Sequence, residues 1–173
     1  MPASPSSTPL VAILMGSDTD LPVMQNTATQ LEKFGIPYSM HVLSAHRSPA
    51  RTAVFARDAR KNGLRVLIAG AGAAAALAGA LAAETTLPVI GVPLATSPLS
   101  GFDALLSTAM LPAGVPVATV AVGEGGATNA AVLAAQMLAL SDETLAAKLA
   151  EYKLELERKV VEKNEKLQAR RTA

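Results

Sequence analysis

The side chains best suited to catalysis or anion binding lie in two short polar segments of this sequence. In the segment Ser44–Pro49, His46 can exchange a proton near neutral pH, and Arg47 can hold a phosphate through two hydrogen bonds. A lone histidine is usually structural, but one that follows a predicted strand and precedes an arginine favours a functional site. His41 lies inside the same predicted strand and is interpreted as a packing or surface residue.

The second polar segment, Gly16–Asp20, supplies hydroxyl groups and backbone amides just before a predicted helix. Unpaired amides at a helix N-terminus and the helix dipole both attract an anion, so this segment can bind phosphate. The same residue types are the commonest N-caps, which leaves helix capping open as an alternative. The carboxylates of Asp18 and Asp20 would repel a phosphate, so at least one should point elsewhere, for example to ribose hydroxyls.

A glycine-rich turn, Ala69–Gly72, is predicted after the third strand. It lacks the third glycine of a dinucleotide fingerprint and does not follow the first strand, so it is weak evidence for that ligand. The glycines indicate that the backbone closely approaches either a ligand or a neighbouring helix.

Short apolar runs alternate with segments of helical periodicity along most of the chain. Strands are predicted at Val11–Met15, Tyr38–Leu43, Arg65–Ile68, Pro88–Val92 and Val117–Val122. Helices are predicted at Pro22–Phe34, at Pro49–Asn62, from the glycine-rich turn to about Ala83, and at about Thr128–Leu140. This alternation predicts one α/β domain with a parallel sheet and helices on both faces. Ligands bind at the carboxyl edge of such sheets, where the polar segments fall.

The composition restricts the possible classes of function. Half of the 173 residues are hydrophobic, with alanine in excess, only 3% are aromatic, and the net charge is +1. These values do not suit nucleic-acid binding, which favours basic patches and aromatic stacking platforms. The absence of cysteine excludes disulfides and thiolate chemistry, and two histidines are too few for an ordinary zinc site. We expect neither a metal nor another cofactor.

The chain is expected to have three parts. Residues 1–9 are rich in serine and proline and are predicted to be a disordered tail rather than a signal peptide. Residues 10–141 hold the α/β domain, and residues 142–173 form a long charged helix. That helix has a narrow apolar stripe at Leu145, Leu149, Leu156 and Val160. The stripe suits either a surface helix or one that packs on a neighbouring subunit. Glycines interrupt the most apolar stretch of the chain, so no membrane span is expected and the predicted compartment is the cytoplasm.

Six segments together resemble the PurE family, the 5-(carboxyamino)imidazole ribonucleotide mutases of purine biosynthesis. The resemblance runs from about Val11 to Leu140 and keeps the order and spacing of the family's motifs. The segments are Met15–Ser17 with Thr19–Asp20, Ser44–Pro49, Ala69–Gly72, Leu87–Pro93, Leu99–Asp103 and Pro112–Thr119.

The resemblance implies a three-layer, flavodoxin-like fold assembled as a homo-octamer, with sites formed between subunits. It also implies a cofactor-free isomerase that moves carboxylate, as CO2, from the exocyclic nitrogen of an aminoimidazole ribonucleotide to the adjacent ring carbon. In the family, the matches of Ser17 and Arg47 hold the phosphate, and the match of Asp20 holds the ribose. The match of His46 moves the proton. The other substrate-binding residues expected are Gly16, Thr19, Ser44, Ala45, Gly70, Ala71 and Gly72.

The sequence departs from the family pattern around the expected ring-binding wall. Ala76 stands where the family has a histidine, and Ala78 where it has a proline. Leu21 replaces a tryptophan, Met110 a glutamine, and Leu94–Thr96 the usual Val-Gln-Ser. The mutase is the leading interpretation. The alternatives are a related carboxylase or decarboxylase that uses free CO2, and a nucleotide-binding paralogue without catalysis.

Overall fold

The computed structural model describes residues 8–171, so most of the tail predicted at residues 1–9 lies outside the described residues. The chain divides into two compact units, Met1–Ala134 and Ala135–Ala173. The strands are β1 (Val11–Met15), β2 (Tyr38–Val42), β3 (Val66–Gly72), β4 (Val89–Leu94) and β5 (Ala118–Thr119). The helices are α1 (Leu21–Phe34), α2 (Pro49–Asp58), α3 (Leu77–Ala82), α4 (Phe102–Ala109), α5 (Glu124–Ala139) and α6 (Glu143–Arg171).

The strands form one parallel five-stranded sheet in the order β2-β1-β3-β4-β5. β1 reads as a continuous apolar run because it is buried along its whole length. The register aligns the carboxyl ends of the first strands, since Met15 pairs with Val42 on one side and with Gly70 on the other. The predicted α/β, flavodoxin-like fold class with a long C-terminal helix is therefore confirmed.

Alternate residues of each strand face different helices, as the pleat of a sheet requires. One core cluster contains Ala12 and Leu14 of β1, Leu67 and Ala69 of β3, Ala56 of α2, and Leu77, Ala78 and Leu81 of α3. On the other face, Met24 of α1 lies against Gly70, and the Thr27 hydroxyl donates a 2.8 Å hydrogen bond to the carbonyl of Ala127. Alanines let the helices approach the sheet closely, which explains how an aromatic-poor chain builds this core.

The structure differs from the predicted elements at several places. Strand β5 covers only Ala118–Thr119 of the predicted Val117–Val122, and helix α5 begins at Glu124 rather than at about Thr128. Ala69–Gly72 is not a turn: these residues continue β3 and pair with Gly91–Leu94 of β4, because a glycine can extend a strand when neighbours pack over it. Helix α4 was missed, and its eight residues begin after Gly101, which has φ of 85°. Helix α2 ends at Asp58, four residues before the predicted end, and the chain continues in turns to Gly63.

Helix α6 dominates the second compact unit. The side chain of Asp142 caps its start by accepting a 3.0 Å hydrogen bond from the Leu145 amide. Leu145 is buried, whereas Leu156 and Val160 of the predicted stripe are exposed. The packing of this helix on a neighbouring subunit stays a prediction.

Candidate functional site

A cavity of about 340 Å³ opens where β1, β2, β3 and β4 end. It is lined by Gly16, Ser17, Thr19, Asp20, Ser44, Ala45, His46, Arg47, Ala71, Gly72, Ala74, Ala76, Leu77 and Thr96. Every predicted catalytic or substrate-binding residue is in this lining except Gly70. Of the residues expected around the ring-binding wall, only Ala76 and Thr96 line the cavity, because Ala78 and Leu94 are buried in the core and Leu21 and Met110 are exposed elsewhere. We call residues 16–20 and 44–48 the anchor loops, and Ala71, Gly72, Ala74, Ala76 and Leu77 the small-residue wall.

The first anchor loop is held in shape by a reciprocal cap. The Ser17 hydroxyl accepts hydrogen bonds from the amide and the hydroxyl of Thr19, at 3.4 and 2.9 Å. The Asp20 carboxylate reaches back and accepts a 3.0 Å hydrogen bond from the Ser17 amide. The capping role left open by the sequence is therefore present. The cap uses the amides of Ser17 and Thr19, but the two residues also line the cavity, where their hydroxyl groups are available to an anion.

Asp20 is the buried charge of this loop, with a relative exposure of 5%. Burial raises the pKa of its carboxyl, and the hydrogen bond from the Ser17 amide opposes that rise only in part. Asp18, in contrast, is exposed and accepts hydrogen bonds from the Ser17 hydroxyl and the Thr19 amide. Of the two carboxylates, only Asp20 lines the cavity.

Arg47 joins the two anchor loops. Its Nη2 donates a 3.0 Å hydrogen bond to the carbonyl of Gly16, across 31 residues of sequence. Its backbone amide and its Nε both donate to the Ser44 hydroxyl, at 3.2 and 3.4 Å. The guanidinium is therefore positioned beside Ser17 before any ligand binds, with other donors still available.

His46 is exposed at the mouth of the cavity. Among residues 8–171, no hydrogen bond to its imidazole is present, so a ligand can approach either ring nitrogen. The other histidine, His41, is half-buried in β2, 2.9 Å from the Ser39 hydroxyl and edge-on to Phe55 at 4.9 Å. Burial lowers the pKa of His41. The packing role that the sequence analysis favoured for His41 agrees with these contacts.

The glycines of β3 make room for two different neighbours. Gly70 lies outside the cavity, and a Cβ there would be 2.8 Å from Cγ of Met24 in α1. At Gly72, a Cβ would overlap the hydroxyl oxygen of Thr96 and lie 2.9 Å from that residue's Cβ. The close approach inferred from the sequence is thus to a helix at one glycine and to the loop after β4 at the other.

Four lining residues were not predicted to bind substrate: Ala74 and Leu77 were not identified at all, whereas Ala76 and Thr96 were named only as departures in the expected ring-binding wall. All four follow β3 or β4, and the rule that ligands bind beyond strand carboxyl ends could have found them. Alanine and leucine carry no chemical signal of their own, so only their position identifies them.

A larger cavity of about 700 Å³ lies along edge strand β2 and helix α2, and His41 and Arg51 are among its lining residues. Its lining residues come from β2, from α2 and from the segments that directly follow these two elements, rather than from the ends of several strands. We therefore assign the site to the smaller cavity. Within residues 8–171, no cluster of three or more potential metal ligands is present. No helix in that same range is long and apolar enough to span a membrane.

Comparison with known proteins gives a consistent result. Residues 10–159 match the family model described as AIR carboxylase. The chain is 50% identical to the N5-carboxyaminoimidazole ribonucleotide mutase of Thermotoga maritima, over 92% of each chain. It is 48% identical to the mutase of the same name from Pyrococcus horikoshii, over 94% of this chain and 91% of that protein. The crystal structure of Treponema denticola PurE superposes with a TM-score of 0.82 at 29% identity, covering 92% of this chain and 98% of that one.

Proposed function

This chain belongs to the AIR carboxylase family, the PurE family that its motifs resemble, and we propose that it catalyses the N5-carboxyaminoimidazole ribonucleotide mutase reaction. The reaction is an isomerisation, because carboxylate leaves one atom of the substrate and joins another. The observation that carries the proposal is the Arg47–Gly16 contact, which unites two anchor loops beside His46 in a chain about half identical to named mutases.

The steps balance without an external reactant. The bond between the exocyclic nitrogen and the carboxylate breaks, CO2 is released, and the nitrogen gains a proton from the acid form of the catalytic base to become an amino group. The electron-rich ring carbon then attacks CO2, and a base removes the proton that this carbon carried. A closed site raises the rate because it keeps CO2 beside the ring until the new bond forms.

The anchor loops supply the groups for the invariant part of the substrate. We assign the phosphate to Ser17, Thr19 and Arg47, because two hydroxyl groups and a guanidinium come together there. Asp20 is assigned to the ribose, since its carboxylate is an acceptor that faces the cavity. The aminoimidazole ring then extends over the small-residue wall. His46 is assigned as the group that exchanges the proton.

Ala76 gives the wall no second acid or base. The residues that line the cavity contain only one imidazole, that of His46, and the wall opposite is formed by methyl groups, a leucine and a glycine. Such a wall favours a flat ring and CO2 over a hydrated, charged group. We therefore propose that one histidine performs every proton transfer near neutral pH.

The proposed assembly is a homo-octamer, and the proposed compartment is the cytoplasm. Leu99, Phe102, Leu106 and Met110 form an exposed apolar row on and beside α4, which supports burial against other subunits. A phosphorylated intermediate does not cross membranes unaided, which supports a location with the other enzymes that make and consume it.

The test compares wild type with His46→Asn on two substrate mixtures. With N5-carboxyaminoimidazole ribonucleotide alone, wild type should turn over, and His46→Asn should lose a factor of about 10²–10⁴ in rate. The affinity of His46→Asn for the nucleotide should stay within about tenfold of the wild-type affinity, because the asparagine amide is polar but cannot exchange the proton. Light scattering on the same preparation should give the mass of eight chains.

The second mixture, aminoimidazole ribonucleotide with bicarbonate, distinguishes the carboxylase alternative. Turnover of this mixture without turnover of the carboxyamino nucleotide would replace the mutase proposal by a carboxylase. Equal rates for wild type and His46→Asn would remove His46 from the proton transfer. Binding without any turnover would identify a nucleotide-binding paralogue.

A further inference from the structure

Thr96 enters the cavity from the loop that follows β4. Its hydroxyl oxygen occupies the space that a side chain on residue 72 would fill, and its Cβ lies 2.9 Å from a Cβ built at Gly72. Thr96 is exposed and belongs to the cavity lining. The end of β3 and the loop after β4 therefore meet at this contact.

Gly72 is explained by this approach rather than by its backbone conformation. Gly72 is in strand β3, paired with Leu94, and is not among the residues with positive φ. Any residue could adopt that backbone, so the absence of a side chain has a spatial cause. The cause visible in the structure is the side chain of Thr96, which any Cβ at position 72 would displace.

The hydroxyl of Thr96 is available to a ligand. Across residues 8–171, it makes no hydrogen bond to another protein group. By contrast, other hydroxyl groups in the cavity, those of Ser17, Thr19 and Ser44, take part in hydrogen bonds within the anchor loops. A free hydroxyl that faces a cavity can both donate and accept a hydrogen bond.

The sheet order places Thr96 at the opposite end of the cavity from the phosphate anchors. Arg47 follows β2 and Ser17 follows β1, whereas Thr96 follows β4, two strands beyond β1. Neighbouring strands are about 4.8 Å apart, so roughly 10 Å separates the β1 and β4 ends. A ribonucleotide whose phosphate lies at the anchor loops directs its base, and substituents on that base, toward Thr96.

We infer that Thr96 is a specificity-determining residue. Its hydroxyl donates a hydrogen bond to the substrate carboxylate once that group is attached to the ring carbon of the imidazole. This inference rests on the proposed function for the identity of the ligand. A hydroxyl donor at the far end of an otherwise apolar wall distinguishes a carboxylated ring from an uncarboxylated one, because only the carboxylated ring presents an anionic acceptor there.

The experiment measures binding rather than turnover. Calorimetry gives dissociation constants of carboxyaminoimidazole ribonucleotide, the carboxylated product, and of aminoimidazole ribonucleotide, which lacks the carboxylate. Thr96→Val keeps the shape against Gly72 and removes the hydroxyl, whereas Thr96→Ser keeps the hydroxyl. The matched control is Thr29→Val on the exposed surface of α1, outside the cavity.

Thr96→Val should weaken binding of the carboxylated nucleotide about tenfold and that of the uncarboxylated nucleotide less than about twofold. Thr96→Ser and Thr29→Val should bind both nucleotides like wild type. An equal loss for both nucleotides, no loss for either, or no binding of the carboxylated nucleotide by wild type would overturn the inference. A selective loss in a protein that lacks mutase turnover would support Thr96 while refuting the proposed reaction, so the two failures are distinguishable.

Discussion

The two sides of the cavity are built in different ways. The anchor loops hold their own polar groups in place, through the Ser17–Asp20 cap and the Arg47–Gly16 hydrogen bond. The small-residue wall has no such network, and its shape follows from the absence of side-chain volume. The first side is pre-organised by hydrogen bonds between polar side chains and backbone, whereas the second is held only by backbone pairing and packing.

This difference indicates how each side tolerates change. A lost donor in the anchor loops removes a specific interaction with the ligand and leaves local partners unpaired. A substitution in the wall changes volume or backbone strain, and its effect is first on stability or on the shape available to the ring. The mutations below separate these two kinds of effect, in order of expected size.

The largest effect is expected at Arg47. Arg47→Ala should weaken binding of ribose 5-phosphate and of the full nucleotide alike by about 1.5–3 kcal/mol, because it removes a charged hydrogen bond to the phosphate. Thermal unfolding should change little, since the side chain is exposed and water can replace it at the Gly16 carbonyl and the Ser44 hydroxyl. Calorimetry with both ligands measures the effect.

The matched control is Arg51→Ala, which removes the same charge one turn along the chain, in α2 and outside the cavity. It should leave both affinities unchanged. Comparable losses for the two variants would mean that general charge attraction, rather than the positioned guanidinium, binds the phosphate.

A smaller effect is expected beside the wall at Ala73, which has a positive φ of 51°. Ala73→Gly should remove about 1–2 kcal/mol of left-handed strain, offset by about 0.4–1 kcal/mol of extra unfolded-state entropy. The net gain in the free energy of unfolding is about 0.5–1 kcal/mol, measurable by denaturant unfolding.

Ala74 supplies the matched control, because it is also exposed but is not among the residues with positive φ. Ala74→Gly should destabilise the protein by about 0.5–1 kcal/mol through unfolded-state entropy alone. If both glycine variants lose stability equally, residue 73 is not strained.

The smallest effect is expected at Asp20, where the difference in stability between wild type and Asp20→Asn should depend on pH. Because burial raises the pKa of its carboxyl, the folded protein binds this proton more tightly than the unfolded chain does. The resulting stabilisation is complete below the unfolded-state pKa and is lost as pH rises through the raised, folded-state pKa. Asp20→Asn lacks this dependence, and its side-chain oxygen can still accept the hydrogen bond from the Ser17 amide.

Thermal unfolding of the two proteins from pH 3 to pH 7 checks this prediction. The Asn variant should gain stability relative to wild type as pH rises, and nucleotide affinity should fall if the carboxylate binds ribose. If the stability of the Asn variant relative to wild type increased toward acid pH instead, the raised pKa of Asp20 would be contradicted.

Much of the fold was predictable because local patterns record burial. The continuous apolar run Val11–Met15 is typical of a strand covered on both faces, and Gly35, with φ of 73°, ends α1 where a left-handed residue is required. The helix α4 was missed because its eight residues lie between two loops and only Ala104 and Thr108 are buried. Eight residues are too few to distinguish helical periodicity from a short apolar run.

The sequence by itself determined the chemistry available at the site, because a proton-exchanging imidazole and a guanidinium are properties of His46 and Arg47 wherever they lie. Only the tertiary structure decided which groups meet. The hydrogen bond from Arg47 to Gly16 and the approach of Thr96 to Gly72 depend on which strands are neighbours, and strand order is set by long-range packing. No local sequence pattern predicts that Thr96 lies against Gly72, because the two residues come together only when β3 and β4 pair.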